Sequence, residues 1–308
     1  MTSDVLCALD CGTNSTRLLI ETAAGEVLSR QMRITRLGAG VDAGGSLADD
    51  AVDRSLRVLE EYRTLMDRYG VTAGRLVATS AARDASNGPA FLAEASAITG
   101  VDAEILSGDE EGRLSFLGAM ADIEPSVGDD VVLDIGGGSS ELVVDADGAM
   151  AAFSMQVGCV RLTERCLQSD PPSPGQLDDA RAVADEALEG AIRAIPALGA
   201  LRPKSRLVGL AGTVATLAQL ELGLDDYDRS QVHHLWMDLD RIVEWTDDLA
   251  AEASATRALR PGMVPGREDV IVGGLIVLVA SIERLGLTGC LTSESDILDG
   301  LILSLQGS

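Results

Sequence analysis

The chain has 308 residues, a formal net charge of −25 and only 3% aromatic residues. That length suits one large or two ordinary domains, and a hydrophobic content of 46% is enough to bury a sizeable core. The acidic balance and the scarcity of aromatic rings argue against a nucleic-acid-binding protein, which needs a basic face or stacking platforms.

The first third of the chain alternates between predicted strands and helices. The apolar run VLCALD (residues 5–10) predicts a buried strand that ends in an acid, and STRLLIET and GEVLSRQMRIT predict two more strands. The patterns that follow predict a helix over about 47–69, a strand over RLVATSAAR (75–83) that ends in a polar loop, a helix opening at Pro89, a strand at AEILS and a helix over 109–120.

The opening pattern then returns. DVVLDIGGGSSELVVDADG (130–148) matches VLCALDCGTNSTRLLIETAAG, and Asp10 corresponds to Asp134 at an offset of 134 − 10 = 124 residues. The same offset pairs Gly12 with Gly136, Ser15 with Ser139 and Leu18 with Leu142. A match at a fixed offset indicates a duplicated unit. We therefore expect two domains of like topology whose turns line a common cleft.

The remainder of the second half keeps the same alternation. The patterns predict a helix near 176–195, a strand over RLVGLAG (206–212), a helix from Thr213, helices near 239–250 and 268–285, a short strand CLTS (290–293) and a final helix begun by Asp296. Strands that alternate with helices along the whole chain predict an α/β protein.

The two matched turns are candidate phosphate-binding loops. Small residues let a phosphate approach the backbone closely, and each turn follows a buried strand that ends in an acid. A single glycine-rich turn could equally be a plain hairpin, but a matched pair favours phosphate binding. The candidates are Gly12, Thr13, Asn14 and Ser15 in the first turn and Gly136, Gly137, Gly138 and Ser139 in the second.

Acids on the same turns indicate a metal ion. Asp134 and Glu141, with Asp10 close by, would repel a phosphate unless a cation lay between them. Mg²⁺ takes few protein carboxylates and shares its other positions between water and substrate phosphates. We therefore expect a Mg²⁺ site, with an outward-facing surface position as the alternative for Glu141.

Further candidates lie at a strand-to-helix junction and beside turns. LAGT places Gly212 and Thr213 at the start of a helix, where free N–H groups favour an anion, although an ordinary cap explains them equally well. Arg17, Arg83 and Arg267 each lie beside a turn or helix start, with a solvated surface arginine as the alternative for each.

One helix begins with three consecutive acids. Asp109, Glu110 and Glu111 all favour the helix dipole at this position, and any of them turned toward the substrate could orient or deprotonate a water. Composition alone does not choose among the three.

Several motifs occur together in one order: ALDCGTNSTRLLI, SAAR, ILSGDEEGRL, LDIGGGSSELV, GCVRLTE, GLAGTVATLA and REDVIVGGLIVL. This order resembles the exopolyphosphatase/guanosine pentaphosphate phosphatase (Ppx/GppA) family over nearly the whole chain. The resemblance implies the actin-like, sugar-kinase-like (ASKHA) fold, with two ribonuclease H-like domains around a central cleft. The expected limits are residues 1–120 plus a C-terminal helix at about 295–308, and residues 121–294.

The resemblance also implies an enzyme that uses Mg²⁺, or Mn²⁺, to release orthophosphate from the end of inorganic polyphosphate. By matching position, Glu111 resembles the family's catalytic base and Arg83 its phosphate-gripping arginine. Asp134 and Glu141 resemble its metal-site acids. Both turns, with Gly212 and Thr213, resemble its phosphate contacts, and Arg267 is a further candidate for that role.

The chain departs from the family pattern in two ways. Cys11 and Thr13 stand where Leu or Ile and Ser are common in DxGSNS, and both changes are mild. Long family members add a C-terminal helical region that this chain lacks. We therefore expect a preference for short or medium polyphosphate over very long chains.

Alternative functions remain open on the sequence. Hydrolysis of the 5′ phosphate of guanosine pentaphosphate (pppGpp) would use the same site. A sugar or acid kinase shares the fold but needs an acceptor site, and a non-catalytic polyphosphate or alarmone sensor would not need Glu111, Asp134 and Glu141. Fold alone does not decide among these. Oligomeric state is also open, with a homodimer as one arrangement.

The remaining features point to the cytoplasm. The five cysteines lack CxxC spacing, which argues against a zinc site or a disulfide framework. The start of the chain lacks the layout of a signal peptide, and the longest apolar run, residues 270–282, is too short to span a bilayer. We expect no membrane partner. His233 and His234 are adjacent without further ligands, so we expect structural or substrate-rim roles for them.

Overall fold

The structure is a computed structural model that describes residues 4–146 and 148–307. It divides into two compact units. The first unit consists of Met1–Gly118 and Asp296–Ser308, and the second consists of Ala119–Ser295. Each unit contains one mixed β-sheet and the helices that pack on it.

The first unit holds a five-stranded sheet in the order β3-β2-β1-β4-β5. Its strands are β1 (Val5–Cys11), β2 (Ser15–Thr22), β3 (Val27–Ile34), β4 (Ala73–Ala78) and β5 (Ala103–Ile105). The first three strands pair antiparallel, whereas β4 runs parallel to both β1 and β5. Its helices in the first part of the chain are α1 (Val41–Gly44), α2 (Asp49–Tyr69), α3 (Ser80–Asp84), α4 (Gly88–Thr99) and α5 (Gly108–Met120), whose last two residues belong to the second unit.

The continuous apolar run in β1 follows from burial on both faces of this sheet. Leu9 packs in a cluster with residues of α2 and α4, whereas Ala8 packs in a cluster with the C-terminal helix, Ile297–Gln306. Successive side chains of a strand point to opposite faces, so a strand covered on both sides needs apolar residues at nearly every position.

The second unit holds a six-stranded sheet in the order β10-β11-β9-β6-β7-β8. Its strands are β6 (Asp130–Ile135), β7 (Ser140–Ala146), β8 (Ala149–Met155), β9 (Arg206–Leu210), β10 (Trp236–Asp238) and β11 (Gly289–Thr292). Strands β6, β7 and β8 pair antiparallel, and β9 runs parallel to β6 and β11. Its helices are α6 (Cys159–Cys166), α7 (Pro174–Ala194), α8 (Ala211–Leu222), α9 (Arg229–Val232), α10 (Leu239–Ala250), α11 (Ser254–Arg257) and α12 (Ile271–Arg284), and α13 (Ile297–Gln306) returns to the first unit.

The two sheets share one strand order. The sequence β3-β2-β1-β4-β5 in the first unit recurs as β8-β7-β6-β9-β11 in the second, with β10 added at the edge. This is the order of a ribonuclease H-like domain, so the predicted duplicated α/β fold is confirmed. Across the described residues, no helix is long and apolar enough to cross a membrane.

One predicted element is wrong in its second half. The strand predicted over residues 75–83 ends at Ala78, and Ser80–Asp84 form helix α3. The Ala78 carbonyl accepts the last hydrogen bond from the neighbouring strand, from the Leu106 N–H at 3.1 Å, and the Arg83 N–H then closes a helical turn on Thr79 at 3.0 Å. The patterns also did not predict β8, β10, α6 or the shortest helices α1, α9 and α11.

Candidate active site

The predicted site residues of the first unit lie at one edge of its sheet. The parallel strands β1, β4 and β5 end at Cys11, Ala78 and Ile105, and they end at the same edge because parallel neighbours share a direction. The turn at 12–15, helix α3 and helix α5 follow these three ends. In open α/β sheets, ligands bind outside the carboxyl ends of the strands.

Burial separates the three acids at the start of α5. Glu111 is 8% exposed, whereas Asp109 and Glu110 are exposed to solvent. Arg83 Nη1 donates to Glu111 Oε2 at 3.2 Å, so the structure brings together the two residues predicted to act as base and phosphate-gripping arginine. The adjacent guanidinium offsets the charge of the carboxylate, which would otherwise be buried at a high energetic cost.

The guanidinium of Arg83 is held from one side. Its Nη1 also donates to the Leu106 carbonyl at 2.9 Å, which fixes the plane of the group. Its Nη2 is buried and makes no hydrogen bond to any residue that the structure describes. A planar guanidinium fixed through one nitrogen presents the other as a donor, the geometry that suits a phosphate oxygen.

The first turn is tight and its backbone is well supported. The Gly12 N–H donates to the Ser15 carbonyl at 3.0 Å, and a Cβ at Gly12 would lie 3.1 Å from that oxygen. The Thr13 carbonyl accepts from the Gly38 N–H at 2.9 Å, and the Asn14 carbonyl accepts from two amides of the same following segment. Because the N–H of a trans peptide points opposite to its C=O, the amides of Asn14 and Ser15 point away from that segment.

Asp10 and Arg17 are directly opposite each other on β1 and β2. Arg17 Nε and Nη2 donate to Asp10 Oδ2 at 2.9 and 2.6 Å, and Arg17 Nη1 donates to Asp296 Oδ2. The structure therefore directs these N–H groups at two carboxylates, and the phosphate-binding role of Arg17 stays a prediction.

The charge on Asp10 is only partly offset. Burial raises the pKa of the Asp10 carboxyl, Arg17 opposes that rise, and the nearby Asp296 adds to it. Arg17 is shared between the two acids, and Asp10 Oδ1 is buried without a hydrogen-bond partner among residues 4–146 and 148–307. An additional cation or its bound water fits the unpaired oxygen.

In the second unit, two acids face each other where the first unit has an acid and an arginine. Asp134 on β6 is directly opposite Glu141 on β7, which in turn is opposite Ser154 on β8. Ser154 Oγ donates to Glu141 Oε1 at 2.7 Å and so orients this carboxylate. Both acids are buried, and like charges directly opposite on a sheet destabilise it. The donor set of two carboxylates fits a hard divalent cation such as Mg²⁺ or Mn²⁺.

The second turn is docked on the start of α6. The Gly136 carbonyl accepts from the Cys159 N–H at 3.0 Å, and the Gly137 carbonyl accepts from the amides of Val160 and Arg161 at 2.9 and 3.0 Å. By the same peptide geometry, the amides of Gly137 and Gly138 point away from α6. Successive amides that share a direction form an anion-binding concavity.

Close packing explains the glycines around this turn. A Cβ at Gly136 would lie 2.9 Å from the Ser139 carbonyl oxygen, which matches the role of Gly12 in the first turn. A Cβ at Gly158 would lie 2.6 Å from the backbone of Gly137. These contacts leave no room for a side chain, so the turn keeps its shape only with glycine here.

Gly212, Thr213 and Arg267 are brought together. Helix α8 begins at Ala211, so Gly212 and Thr213 lie in its first turn. A Cβ at Gly212 would lie 1.8 Å from the guanidinium carbon of Arg267, which is 6% exposed. The guanidinium therefore rests directly on the glycine backbone at the helix start, where backbone N–H groups and positive charge both favour an anion.

A second polar cluster lies elsewhere in the second unit. Asp122, His233 and His234 have side-chain ligand atoms within 4.8 Å of one another. The Glu294 N–H donates to His233 Nδ1 at 3.0 Å, so the ring proton of the neutral imidazole lies on Nε2, 3.0 Å from Asp122 Oδ2. Both nitrogens of His233 are thereby used, which favours a structural role.

Comparison with known proteins places this arrangement in context. The sequence model of the Ppx/GppA phosphatase family matches residues 19–308. The chain is 41% identical to Exopolyphosphatase 2 of Mycobacterium tuberculosis (strain H37Rv), over 97% of this chain and 98% of the relative. It is 34% identical to an exopolyphosphatase-like protein of known crystal structure, with a TM-score of 0.92 over 98% of this chain and 99% of the other. The Ppx/GppA family member of Aquifex aeolicus is 28% identical, with a TM-score of 0.80 over 98% and 97%.

Proposed function

The chain belongs to the Ppx/GppA phosphatase family, and we propose that it is an exopolyphosphatase, an enzyme that removes the terminal phosphate of inorganic polyphosphate as orthophosphate. The single observation that carries the proposal is the contact between buried Glu111 and half-buried Arg83 at the carboxyl edge of the first sheet. The 41% identity to a relative named Exopolyphosphatase 2 over nearly the full length of both chains supports the same activity.

The residues of the first unit account for the reacting end of the substrate. Glu111 accepts a proton from a water, and the water oxygen bonds to the terminal phosphorus as the bridging P–O bond breaks. Arg83 Nη2 and the Asn14 side-chain amide donate to oxygens of the terminal phosphoryl group, whose negative charge is spread over three oxygens in the transition state. The products are orthophosphate and a polyphosphate shorter by one unit.

The residues of the second unit account for further phosphates and for the metal. The amides of Gly137 and Gly138, together with Arg267 beside Gly212, bind phosphate oxygens. In the second unit, Asp134 and Glu141 would hold Mg²⁺ or Mn²⁺; in the first unit, Asp10 Oδ1 is a separate candidate oxygen donor to a cation. When bound, the cation offsets the charge of the phosphate oxygens.

We also propose that the enzyme is cytoplasmic. The five cysteines are all free, four of them buried, as expected in a reducing compartment. Burial raises the pKa of the Cys7 and Cys290 thiols to about 12, so neither carries a reactive thiolate at neutral pH.

The test is a measurement of phosphate release from tripolyphosphate, medium and very long polyphosphate, pppGpp and ATP, with and without Mg²⁺. We expect the highest kcat/KM on a polyphosphate and loss of activity in EDTA. A kcat/KM on pppGpp that exceeds every polyphosphate value would assign the enzyme to the alarmone instead. Transfer of phosphate only to an added sugar or acid acceptor would identify a kinase.

A further inference from the structure

Four buried polar atoms in the first unit have no hydrogen-bond partner in the part of the chain that the structure describes. They are Asp10 Oδ1, Asn14 Nδ2, Ser80 Oγ and Arg83 Nη2. Among the described residues of the first unit, these are the only such atoms, and each belongs to β1, to the turn after it or to the helix after β4. Buried polar groups are almost always paired, so four unpaired atoms at one sheet edge indicate a missing polar ligand.

Asp10, Asn14 and Arg83 already have roles in the site, but Ser80 does not. Ser80 is 2% exposed and is the first residue of α3, three positions before Arg83. Thr79 ties this segment to β1 through its N–H, which donates to the Cys11 carbonyl at 3.4 Å. Ser80 is therefore fixed where the ends of β1 and β4 lie side by side.

The residue next to Ser80, Ala81, lies close to the first candidate phosphate-binding turn. A Cβ at Gly38 would lie 2.4 Å from Thr13 Cγ2 and 2.9 Å from Ala81 Cβ, so these two side chains flank the same glycine. The Gly38 N–H also donates to the Thr13 carbonyl. Helix α3 and the turn are thus packed together, with Ser80 between Ala81 and the strand end.

We infer that Ser80 is a further phosphate-binding residue of this site, and that its hydroxyl donates to an oxygen of the phosphate held by Asn14 and Arg83. The inference rests on the proposed function and adds a third side-chain donor to that subsite. The chemistry of the four atoms matches this ligand: three donors suit the oxygens of one phosphoryl group, and the single acceptor, Asp10 Oδ1, suits a cation or water beside it. An ordered water that only completes the hydrogen bonds of Ser80 is the competing explanation.

Ser80→Ala and Ser55→Ala form a matched pair for the test. Ser55 is equally buried in α2, but its Oγ donates to the Ala51 carbonyl at 2.9 Å. Without ligand, Ser80→Ala should keep or raise the melting temperature, because it removes an unpaired buried hydroxyl, whereas Ser55→Ala should lower it. With tripolyphosphate, Ser80→Ala should lower kcat/KM by about 10–100-fold, the effect of one hydrogen bond to a charged group. Ser55→Ala should keep the wild-type value.

A binding measurement separates this inference from the proposed activity. Tripolyphosphate should raise the melting temperature of the wild type, with or without Mg²⁺, and should raise that of Ser80→Ala less. If the wild type is stabilised but releases no phosphate, the proposed activity fails and the smaller shift in Ser80→Ala still supports the inference. An unchanged kcat/KM together with a lower melting temperature in Ser80→Ala would overturn it in favour of a structural water. Equal shifts in the two proteins, or no shift in the wild type, would also overturn it.

Discussion

Replacing Glu111 by Gln changes one oxygen of a buried carboxylate and little else. The amide keeps the length of the side chain and one oxygen. In the wild type, Glu111 Oε2 accepts from Arg83 Nη1 at 3.2 Å, and the amide oxygen can accept the same hydrogen bond. The Leu106 carbonyl continues to accept from the same Arg83 Nη1. We therefore expect the variant to fold, with an unfolding free energy within about 2 kcal/mol of wild type, because the hydrogen bond to Arg83 is kept and loses its charge assistance.

The effect on turnover should be far larger. A positioned general base contributes about 10²–10⁴-fold, so kcat should fall by that factor, which corresponds to about 3–5 kcal/mol in the barrier. KM should hold or decrease slightly, because one negative charge leaves a site that binds a polyanion. The assay is release of orthophosphate from tripolyphosphate at saturating Mg²⁺, with the unfolding free energy of each variant measured in parallel.

Glu110→Gln is the matched control, one position away on the same helix. The Glu110 side chain is 50% exposed, and its nearest cation is Arg75 Nη2 at 3.5 Å. A surface ion pair of this kind contributes about 0–1 kcal/mol to the free energy of unfolding, so its loss should leave the fold intact. If Glu110 has no part in the reaction, kcat should then stay within about twofold of wild type. Near-normal kcat in Glu111→Gln would refute its role as the base. A larger loss in Glu110→Gln would move that role along the helix, and a Glu111→Gln defect confined to KM would make Glu111 a ligand contact.

Three other predictions follow from the geometry. Gly212→Ala should displace the Arg267 guanidinium, whose carbon lies 1.8 Å from the added Cβ, and should lower kcat/KM about tenfold or more. The control Gly175→Ala adds a Cβ with no atom within 4 Å and should leave kcat/KM unchanged. Equal kinetics of the two variants would contradict the assignment of Arg267 as a phosphate-binding residue. Glu141→Gln should raise the Mg²⁺ concentration for half-maximal activity by about tenfold or more, and an unchanged Mg²⁺ titration would remove Glu141 from the metal site. Burial holds the His233 pKa below its ordinary 6.5, so as the pH falls His233 is protonated in the unfolded chain before it is protonated in the folded chain. The free energy of unfolding, measured with denaturant, should therefore be full above pH 6.5 and decline as the pH falls toward the lowered pKa, and His233→Asn should reduce this decline. A wild type that is equally stable at pH 5.5 and 7.5 would count against this prediction.

Much of the fold could be predicted because the signals are local. VLCALD and its copy are apolar at nearly every position, which indicates strands covered on both faces, and the observed strand Val5–Cys11 differs by one residue. The end of β4 could not be predicted from such local signals. The second half of RLVATSAAR has no periodicity that distinguishes a strand from a helix, so the change after Ala78 depends on where β5 stops pairing, which only the tertiary structure shows.

The choice among the three acids of α5 also needed the structure. Asp109, Glu110 and Glu111 have the same charge and the same helix-start preference, so no local rule separates them. What separates them is that only Glu111 is buried and only Glu111 contacts Arg83, which follows a different strand, 28 residues away in sequence. Long-range contacts of this kind leave no periodic signature.

The duplication itself holds information that the turn-by-turn interpretation missed. The offset of 124 residues that relates Asp10 to Asp134 also relates Arg17 to Glu141, since 141 − 17 = 124. Both pairs are seven residues apart across turns of equal length, and both are directly opposite in the strand register. The first copy therefore carries its own fixed cation beside the strand-end acid, whereas the second places another acid there. The opposed, buried carboxylates of the second copy form a donor set that suits a divalent cation, so arginine or glutamate at this one register position distinguishes the ion pair of the first unit from the candidate metal site of the second.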